Sequence, residues 1–310
     1  MIVFKVLFIG VGSIARQHIL NLHAIAERRD MNIEIDAFRR SISSDIPEGV
    51  SHVYHDYAEV PDDYDAVFIT NPTDAHLAAL ERFRGSGSNF FIEKPIVSIP
   101  EITDAEKFKL RDDAIYYVAC PLRYNAVIQH IRETVDTADV FSVRSISSSY
   151  LPDWRPGQDY RNTYSAHRDM GGGVGIDLIH EWDYITYLFG WPDKVFCLAG
   201  KKSDLEIDSD DYAIYIAEYA DKIAEVHLDY FGRKTIREVQ LFTKYDTITG
   251  DIANSRVTYL KSGRVIDFHE ERKVSQQREL EHFIDMVFGK AANENGFEHS
   301  LKVLRLTQGI

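Results

Sequence analysis

Near the start of the chain lies the stretch Val3-Phe4-Lys5-Val6-Leu7-Phe8-Ile9-Gly10-Val11-Gly12-Ser13-Ile14-Ala15, an apolar run that ends in a glycine-rich segment. A short, continuous apolar run bounded by glycine is typical of a buried parallel strand. Beyond it, apolar residues recur at helical spacing from Ile14 to Ile25, which predicts an amphipathic helix. The stretch therefore predicts a strand, a tight turn and a helix in direct succession.

The segment Gly10-x-Gly12-x-x-Ala15, here called the phosphate turn, predicts contact with the pyrophosphate of a dinucleotide. Gly10 permits the tight turn, Gly12 lets the backbone approach the phosphates, and Ala15 allows close helix packing. The helix N-terminus adds N–H donors and a positive dipole. Since the motif alone is weak, its position between strand and helix carries the prediction. The alternative is that the glycines serve only chain reversal. Expected cofactor contacts in this turn are Gly10, Gly12, Ser13 and Ile14.

The end of the second predicted strand, 33–38, bears on the choice of cofactor. An acidic residue usually stands there to bind the ribose hydroxyls, but this strand ends in Phe38-Arg39-Arg40-Ser41 and Asp36 lies earlier. Arginine forks match phosphate oxygens, so Arg39 and Arg40 suit a 2′-phosphate. NADP is therefore slightly favoured over NAD. Two solvated arginines, or arginines stacked on adenine, remain the alternatives.

Strands and helices alternate from residue 1 to about 120, with further apolar strands at 66–70, 89–92 and 115–119. Thr73 or Asp74 is expected to cap the helix that follows the first of these. Such alternation predicts an α/β Rossmann domain in which helices cover both faces of a parallel sheet. We assign this nicotinamide dinucleotide-binding domain to residues 1–120.

After residue 121 the pattern changes. Residues 140–150 alternate as a half-buried strand does, and several later strands are separated by short turns, which indicates an antiparallel or mixed sheet. Helices are expected at about 173–189 and 275–288. We therefore predict that 121–310 forms an α+β domain with a mixed or antiparallel sheet.

The length and the net charge of the chain restrict its possible binding partners, and its cysteine content and N-terminus bear on the cellular compartment. The chain has 310 residues and a net charge of -14; the length suggests about two domains. The acidic balance argues against nucleic acid and against an anionic membrane surface as partners. Two cysteines are too few for a disulfide framework, and no apolar run approaches the roughly 20 residues of a membrane span. With no signal-peptide pattern at the N-terminus, a cytoplasmic protein is expected.

Three further segments carry a family resemblance: Asn71-Pro72-Thr73-Asp74-Ala75-His76, Glu93-Lys94-Pro95, and Gly171 to Tyr184 with the sequence GGGVGIDLIHEWDY. Together with the phosphate turn, this set and order resemble the glucose–fructose oxidoreductase / inositol dehydrogenase / MocA family. The resemblance runs by motif from residue 1 to about 190 and beyond that only by element order. Glu-Lys-Pro at this place is fairly specific, and the combination is highly specific.

The resemblance implies hydride transfer between a nicotinamide and a secondary alcohol or ketone of a sugar or cyclitol, possibly acidic or nucleotide-linked. It places Lys94 near the nicotinamide, with a Lys94–Pro95 peptide that is often cis, and maps Asp177 and His180 to the usual site. It also implies that 121–310 carries a large open mixed or antiparallel sheet, that this domain serves substrate binding and oligomerisation, and that a homodimer or homotetramer forms through the sheet. The other expected cofactor contacts are Thr70, Asn71, Pro72, His76, Glu93 and Lys94.

One spacing departs from the family pattern. Asp177 and His180 are three residues apart, whereas many members space them four apart; the form here resembles one branch, which also carries a segment like Tyr160-Arg161-Asn162-Thr163-Tyr164-Ser165-Ala166. His180 is therefore taken as the equivalent residue. The role of Asp177, whether catalytic or only orienting, stays open.

The chemistry of these residue types is consistent with the resemblance. A histidine titrates near neutrality, so His180 is the best acid/base candidate, and Lys94 can stabilise alkoxide charge. Asp177 could orient His180 or hold a second hydroxyl, with Glu181 as a backup. A solvated lysine and a satisfied Asp–His pair are the alternatives. No His-x-x-x-His pair appears, so no metal is expected.

The Pro- and Gly-containing loop 151–161 concentrates aromatic and arginine side chains just before this helix. Such groups suit sugar rings and anionic substituents, although a packing or subunit-interface loop is an equal alternative. The predicted substrate contacts are Arg123, Tyr124, Trp154, Arg155, Tyr160, Arg161, Tyr164 and His167. The rival to the enzyme is a non-catalytic, dinucleotide-binding regulator of the same family.

Overall fold

The computed structural model describes residues 3–41, 46–85, 87 and 89–309. The chain divides into two compact units. Unit 1 comprises Met1–Ala119 and Gln276–Leu301, and unit 2 comprises Cys120–Ser275 and Lys302–Ile310. The second domain was predicted to comprise 121–310, whereas residues 276–301 lie in unit 1.

Unit 1 contains a six-stranded, fully parallel sheet in the order β3-β2-β1-β4-β5-β6. Its strands are β1 (Val3–Ile9), β2 (Asn32–Phe38), β3 (His52–Tyr54), β4 (Ala66–Ile69), β5 (Asn89–Ile92) and β6 (Ile115–Val118). Its first three helices are α1 (Ser13–Arg28), α2 (His76–Phe83) and α3 (Ile102–Ala105). The parallel sheet is confirmed, and β3 was missed because a three-residue strand leaves no apolar run.

An aromatic stack explains why a late segment belongs to unit 1. Phe8, Phe68 and Phe91 lie side by side on β1, β4 and β5, with ring centroids 4.6 Å and 4.7 Å apart. Phe283, in helix α7 (Arg272–Val287), meets Phe68 and Phe91 edge-on. Tyr117 also donates to Glu279 at 3.0 Å. Burial of these rings ties 276–301 to the first sheet.

Unit 2 contains an eight-stranded mixed sheet in the order β14-β13-β12-β11-β7-β10-β9-β8, as the predicted fold class requires. Only the β7–β10 pair is parallel. The strands are β7 (Val140–Tyr150), β8 (Lys194–Gly200), β9 (Tyr212–Glu218), β10 (Ile223–Asp229), β11 (Phe231–Thr243), β12 (Thr247–Asp251), β13 (Arg256–Tyr259) and β14 (Arg264–Asp267). The remaining helices are α4 (Ala126–Thr134), α5 (Val174–Asp177), α6 (His180–Phe189) and α8 (Phe297–Leu306), the last extending across the unit 1 boundary.

The single helix predicted at 173–189 is wrong in one respect, because α5 and α6 are separate helices. The backbone leaves the helical region at Leu178, with φ -100° and ψ 30°, and both Leu178 and Ile179 are buried. Asp177 therefore ends one helix and His180 begins the next. Residues three apart on one continuous helix share a face, but Asp177 and His180 are not on one continuous helix.

The predicted cap of α2 is also wrong. Thr73–Ala75 form a 3-10 turn that runs directly into the helix, and Ala75 occupies the N-cap position with no side-chain cap among the described residues. Thr73 and Asp74 are the first two residues of this turn, and Pro72 is its N-cap. The Asn71 amide instead donates to the carbonyl of Ala75 at 3.0 Å.

Across the described ranges, no helix combines the length and the apolar character needed to cross a bilayer.

Candidate active site

The phosphate turn is held by the strands that flank it. Gly10 has φ +89°, and a Cβ there would lie 2.9 Å from the Asn71 Cα. Its N–H donates to Phe38 O at 2.9 Å, and the Thr70 hydroxyl donates to Gly10 O at 2.9 Å. Any other residue would be strained and would clash with backbone at this position.

The space beyond the turn is open. Gly12 is the N-cap of α1, and a Cβ there would meet no described atom within 4 Å. Among the described residues no side chain caps this helix, so its first N–H groups can serve a ligand. Open space, free backbone donors and a helix N-terminus fit a pyrophosphate.

The adenosine end lacks an acidic residue where the second strand stops. Asp36 is buried within β2 and accepts a hydrogen bond from Tyr64 at 2.7 Å. Burial, and then the hydrogen bond to Asp36, raise the pKa of Tyr64 above its ordinary value. Arg39 is half-buried, with its carbonyl accepting from His55 at 2.9 Å, and Arg40 is exposed. One oxygen of the Asp36 carboxylate is thus engaged by Tyr64.

Glu93, at the end of β5, is anchored from two sides. Its Oε1 lies 2.6 Å from His18 Nε2, and its Oε2 accepts from the Lys94 backbone N–H at 3.2 Å. Burial acts to raise the pKa of Glu93, but the His18 hydrogen bond and nearby positive charge bring the net shift downward. His18 is not among the site residues predicted from the sequence. Its place among the apolar positions of α1, one residue before Ile19, was the available signal.

Lys94 is half-buried, and the Lys94–Pro95 peptide is cis, as the resemblance implied. His76 is fully buried beside this segment, with Nε2 3.0 Å from Asn71 O and Nδ1 3.2 Å from Ile96 O. Burial lowers the pKa of His76. His76, predicted to contact the cofactor, therefore shapes the loops that follow β4 and β5 through their backbones.

In unit 2, Asp177 lies at the centre of a group of side chains here called the Asp177 cluster. Its Oδ2 accepts from the Tyr230 hydroxyl at 2.5 Å. Burial, and then the Asp177 charge, raise the pKa of both Tyr230 and Tyr164. Trp154 packs edge-on against Tyr230, with centroids 5.2 Å apart, and the Arg155 guanidinium lies 5.2 Å from the Tyr164 ring. Four of the predicted site residues thus lie together.

The glycines before Asp177 allow this packing. A Cβ on Gly172 would lie 2.1 Å from Tyr164 O, and the Gly172 N–H donates to His167 O at 2.8 Å. A Cβ on Gly175 would lie 2.6 Å from the Tyr215 hydroxyl. The Gly-rich motif therefore brings the 160s segment and β9 against α5 at distances that no larger residue permits.

Two of the named candidates are engaged in buried ion pairs. Glu181, the backup acid/base candidate, is fully buried and accepts from Arg237 Nε at 2.7 Å. Arg123, a predicted substrate contact, is buried and binds both oxygens of Asp183 at 2.8 Å and 2.9 Å. Since an unpaired buried charge is costly, removing either partner of one of these pairs should destabilise unit 2. Tyr124 and His180 are half-buried.

The remaining loop candidates pair with nearby groups. Arg161 contacts Asp159 at 2.8 Å and Glu206 at 2.7 Å. The Tyr160 hydroxyl accepts from the backbone N–H of Glu206 at 3.1 Å, and His167 donates to Arg161 O at 2.6 Å. The charge of Arg161 is therefore balanced within the loop and its neighbour. Among the described residues, no group of three or more His, Cys, Asp or Glu is placed to hold a metal ion.

The parallel sheet and the open phosphate turn define a dinucleotide-binding protein of the Rossmann class. Residues 4–112 match the family model described as oxidoreductase family, NAD-binding Rossmann fold. Residues 128–256 match the GFO/IDH/MocA C-terminal domain. The chain belongs to the glucose–fructose oxidoreductase / inositol dehydrogenase / MocA family, which confirms the resemblance.

Two curated relatives are similar over part of their length. An inositol 2-dehydrogenase of Rhizobium meliloti is 27% identical over 66% of this chain and 61% of its own. An uncharacterized oxidoreductase, YrbE of Bacillus subtilis, is 24% identical over 59% and 52%. The matched region thus spans about half to three-fifths of the length of these relatives.

Solved structures share the fold over nearly the whole chain. A levoglucosan dehydrogenase in complex with NADH and levoglucosan superposes with a TM-score of 0.81 at 16% identity, covering 99% of this chain and 96% of that one. A UDP-N-acetylglucosamine 3-dehydrogenase from Acidithiobacillus ferrooxidans gives 0.77 at 18% identity, with the same coverage. At these identities the likeness concerns the fold.

Proposed function

We propose that this protein is an NAD(P)-dependent oxidoreductase that transfers hydride between the nicotinamide and a secondary alcohol or ketone of a sugar or cyclitol. The observation that carries the proposal lies in unit 1, where the phosphate turn and Lys94 follow the carboxyl ends of β1 and β5 in one parallel sheet. Ligands of such sheets bind at that edge. The inositol dehydrogenase relative supports the substrate class.

The proposed chemistry divides between three side chains. A bound nicotinamide would accept the hydride when the alcohol is oxidised. His180 takes the hydroxyl proton, and in the reverse direction returns it. The Lys94 ammonium stabilises the developing alkoxide. Asp177, anchored by Tyr230, accepts a hydrogen bond from a second substrate hydroxyl.

We propose a preference for NADP over NAD. The support is that Asp36 is engaged by Tyr64 within β2, while Arg39 and Arg40 stand at the strand end that adjoins the phosphate turn. A guanidinium pairs well with a 2′-phosphate.

We propose an uncharged substrate in preference to an acidic or nucleotide-linked one. Arg161 is neutralised by Asp159 and Glu206, and Arg168 lies 3.0 Å from Asp210. Because Arg161 and Arg168 already pair with carboxylates, these two cations offer little uncompensated positive charge to an anionic substrate. Hydroxyl groups remain suitable partners for Asp177.

We propose a homodimer or homotetramer formed through the sheet of unit 2. One face of this sheet carries exposed apolar side chains on neighbouring strands, with Phe196, Leu198 and Ile216 exposed by 54%, 62% and 50%. Contiguous apolar exposure of this kind marks an interaction surface. Light scattering on the purified protein measures the mass directly.

The test of the enzyme is Lys94→Ala, followed by NADPH absorbance at 340 nm with a panel of keto-sugars. We expect turnover to fall by about 100- to 1,000-fold, the usual cost of losing a charge-stabilising donor. NADPH affinity should change little. The matched control is Lys107→Ala, an exposed lysine paired with Asp104, which should behave as the parent protein.

Two outcomes would contradict the proposal. Unchanged turnover in Lys94→Ala would remove the assigned role of that lysine. Tight NADPH binding with no oxidation across a broad panel would indicate the non-catalytic regulator instead.

A further inference from the structure

A buried histidine on α1 connects the phosphate-binding helix to the strand end that carries Lys94. His18 is 1% exposed and follows the start of α1 at Ser13 by five residues. Its ring meets Phe91 edge-on, with centroids 5.2 Å apart, and Nε2 lies 2.6 Å from Glu93 Oε1. Packing and hydrogen bonding therefore hold the imidazole in one orientation.

The hydrogen-bond roles follow from the chemistry of the groups. A carboxylate only accepts, so Nε2 carries the proton and donates it to Glu93. Nδ1 is buried and has no hydrogen-bond partner within the described ranges. A hydrogen-bond donor at Nε2 is therefore what Glu93 requires of this ring.

The second oxygen of Glu93 faces the backbone of the next residue. Oε2 accepts from Lys94 N–H at 3.2 Å. The carboxylate thus bridges a side chain on α1 and the peptide of Lys94. Because α1 begins at the phosphate turn, the same helix bears on both the cofactor phosphates and the lysine.

We propose that His18 is a positioning residue that, through Glu93, fixes Lys94 relative to the helix that binds the cofactor phosphates. This inference rests on the proposed role of Lys94 in hydride transfer. Misplacement of a reacting group by about 1 Å can cost on the order of 100-fold in rate. The bridge His18–Glu93–Lys94 therefore controls kcat, whereas the phosphate turn controls cofactor affinity.

The first experiment compares His18→Leu with His18→Gln. Leucine removes the donor, and the Gln amide can supply one near the place of Nε2. We expect kcat to fall about 10- to 100-fold in His18→Leu, with the Kd for NADPH changed less than about 3-fold, and most of kcat to return in His18→Gln. The matched control is Asn21→Leu, a buried polar residue on the same helix that accepts from Gln17 and Gln277. It should lower the Tm without changing kcat.

A double-mutant cycle keeps the test valid if His18→Leu folds poorly, because Glu93→Gln removes the charge that would be left unpaired. If His18 acts only through Glu93, adding His18→Leu to Glu93→Gln should alter kcat by less than about 2-fold. A further loss of about 10-fold would show another route and overturn the proposal, as would an equal kcat in the parent protein and His18→Leu.

A readout without turnover separates this inference from the proposed function. The fluorescence lifetime of bound NADPH reports the surroundings of the nicotinamide. It should change in His18→Leu and return in His18→Gln even if no substrate is turned over. An unchanged lifetime in His18→Leu overturns the positioning role of His18. Normal turnover in Lys94→Ala overturns only the role of Lys94 in hydride transfer, and the lifetime measurement remains a separate test of His18.

Discussion

The phosphate turn of unit 1 and the Asp177 cluster of unit 2 are built in opposite ways. The turn consists of backbone, with Gly10 at φ +89° and an open space at Gly12. The cluster consists of side chains, in which Asp177 meets Tyr230, 53 residues later in the chain. A backbone site depends on local conformation and can be recognised as a motif. A side-chain site depends on which strands and loops the fold brings together.

The largest effect is expected from a substitution that disrupts the phosphate turn. Gly10→Ala would place a Cβ 2.9 Å from the Asn71 Cα at a positive φ. The strain and the clash with backbone should weaken NADPH binding by about 100-fold, corresponding to the roughly 1–3 kcal/mol stored at such a position. Isothermal titration calorimetry measures the Kd.

The matched control for this change is Gly263→Ala. Gly263 also has a positive φ, but a Cβ there meets nothing within 4 Å of the described structure. It should lower the Tm slightly and leave the NADPH Kd unaltered. Equal losses of affinity in the two variants would mean that Gly10 matters for stability alone.

The next effect tests the side-chain site. Tyr230→Phe keeps the ring against Trp154 and removes the hydroxyl that donates to Asp177. A hydrogen bond to a charged group contributes about 1.5–3 kcal/mol, so kcat/KM for the sugar should fall by about 10- to 100-fold. The NADPH Kd should not move. If Tyr230→Phe instead weakens NADPH binding, the assignment of cofactor binding to the phosphate turn and of substrate binding to the Asp177 cluster is wrong.

Cofactor choice is expected to show a smaller effect. Arg39→Ala should weaken NADPH binding by about 10-fold, because it removes a charged partner of the 2′-phosphate, and should change NADH binding by less than about 2-fold. Paired titrations with the two cofactors give both values. Equal losses would refute the assignment of Arg39 to the 2′-phosphate.

The smallest effect concerns the substrate loop. Arg161 is exposed and already paired with Asp159 and Glu206, and surface pairs contribute about 0–1 kcal/mol. Arg161→Ala should therefore change kcat/KM by less than about 3-fold. An increase of more than about 10-fold in KM, with kcat unchanged, would instead indicate that Arg161 binds an anionic substrate.

Local signals predicted unit 1 well. The apolar runs at 3–9, 66–70 and 89–92 correspond to strands, because a buried parallel strand must be apolar at nearly every position. The same signals missed the cap of α2 and the placement of 276–301. The cap depends on a 3-10 turn, and the placement of 276–301 depends on contacts such as that of Phe283 with Phe68. A short stretch of sequence does not show such features.

The sequence by itself determined the dinucleotide-binding fold and the family, since glycine spacing and apolar runs follow from backbone geometry. It also identified Lys94, Asp177 and His180 as candidates. Only the tertiary structure decided that Glu93 is bridged by His18, that α5 ends at Asp177, and that Arg123 pairs with Asp183. The reason is physical: hydrogen bonds and ion pairs between residues distant in the chain exist only once packing has brought them within about 3 Å of each other.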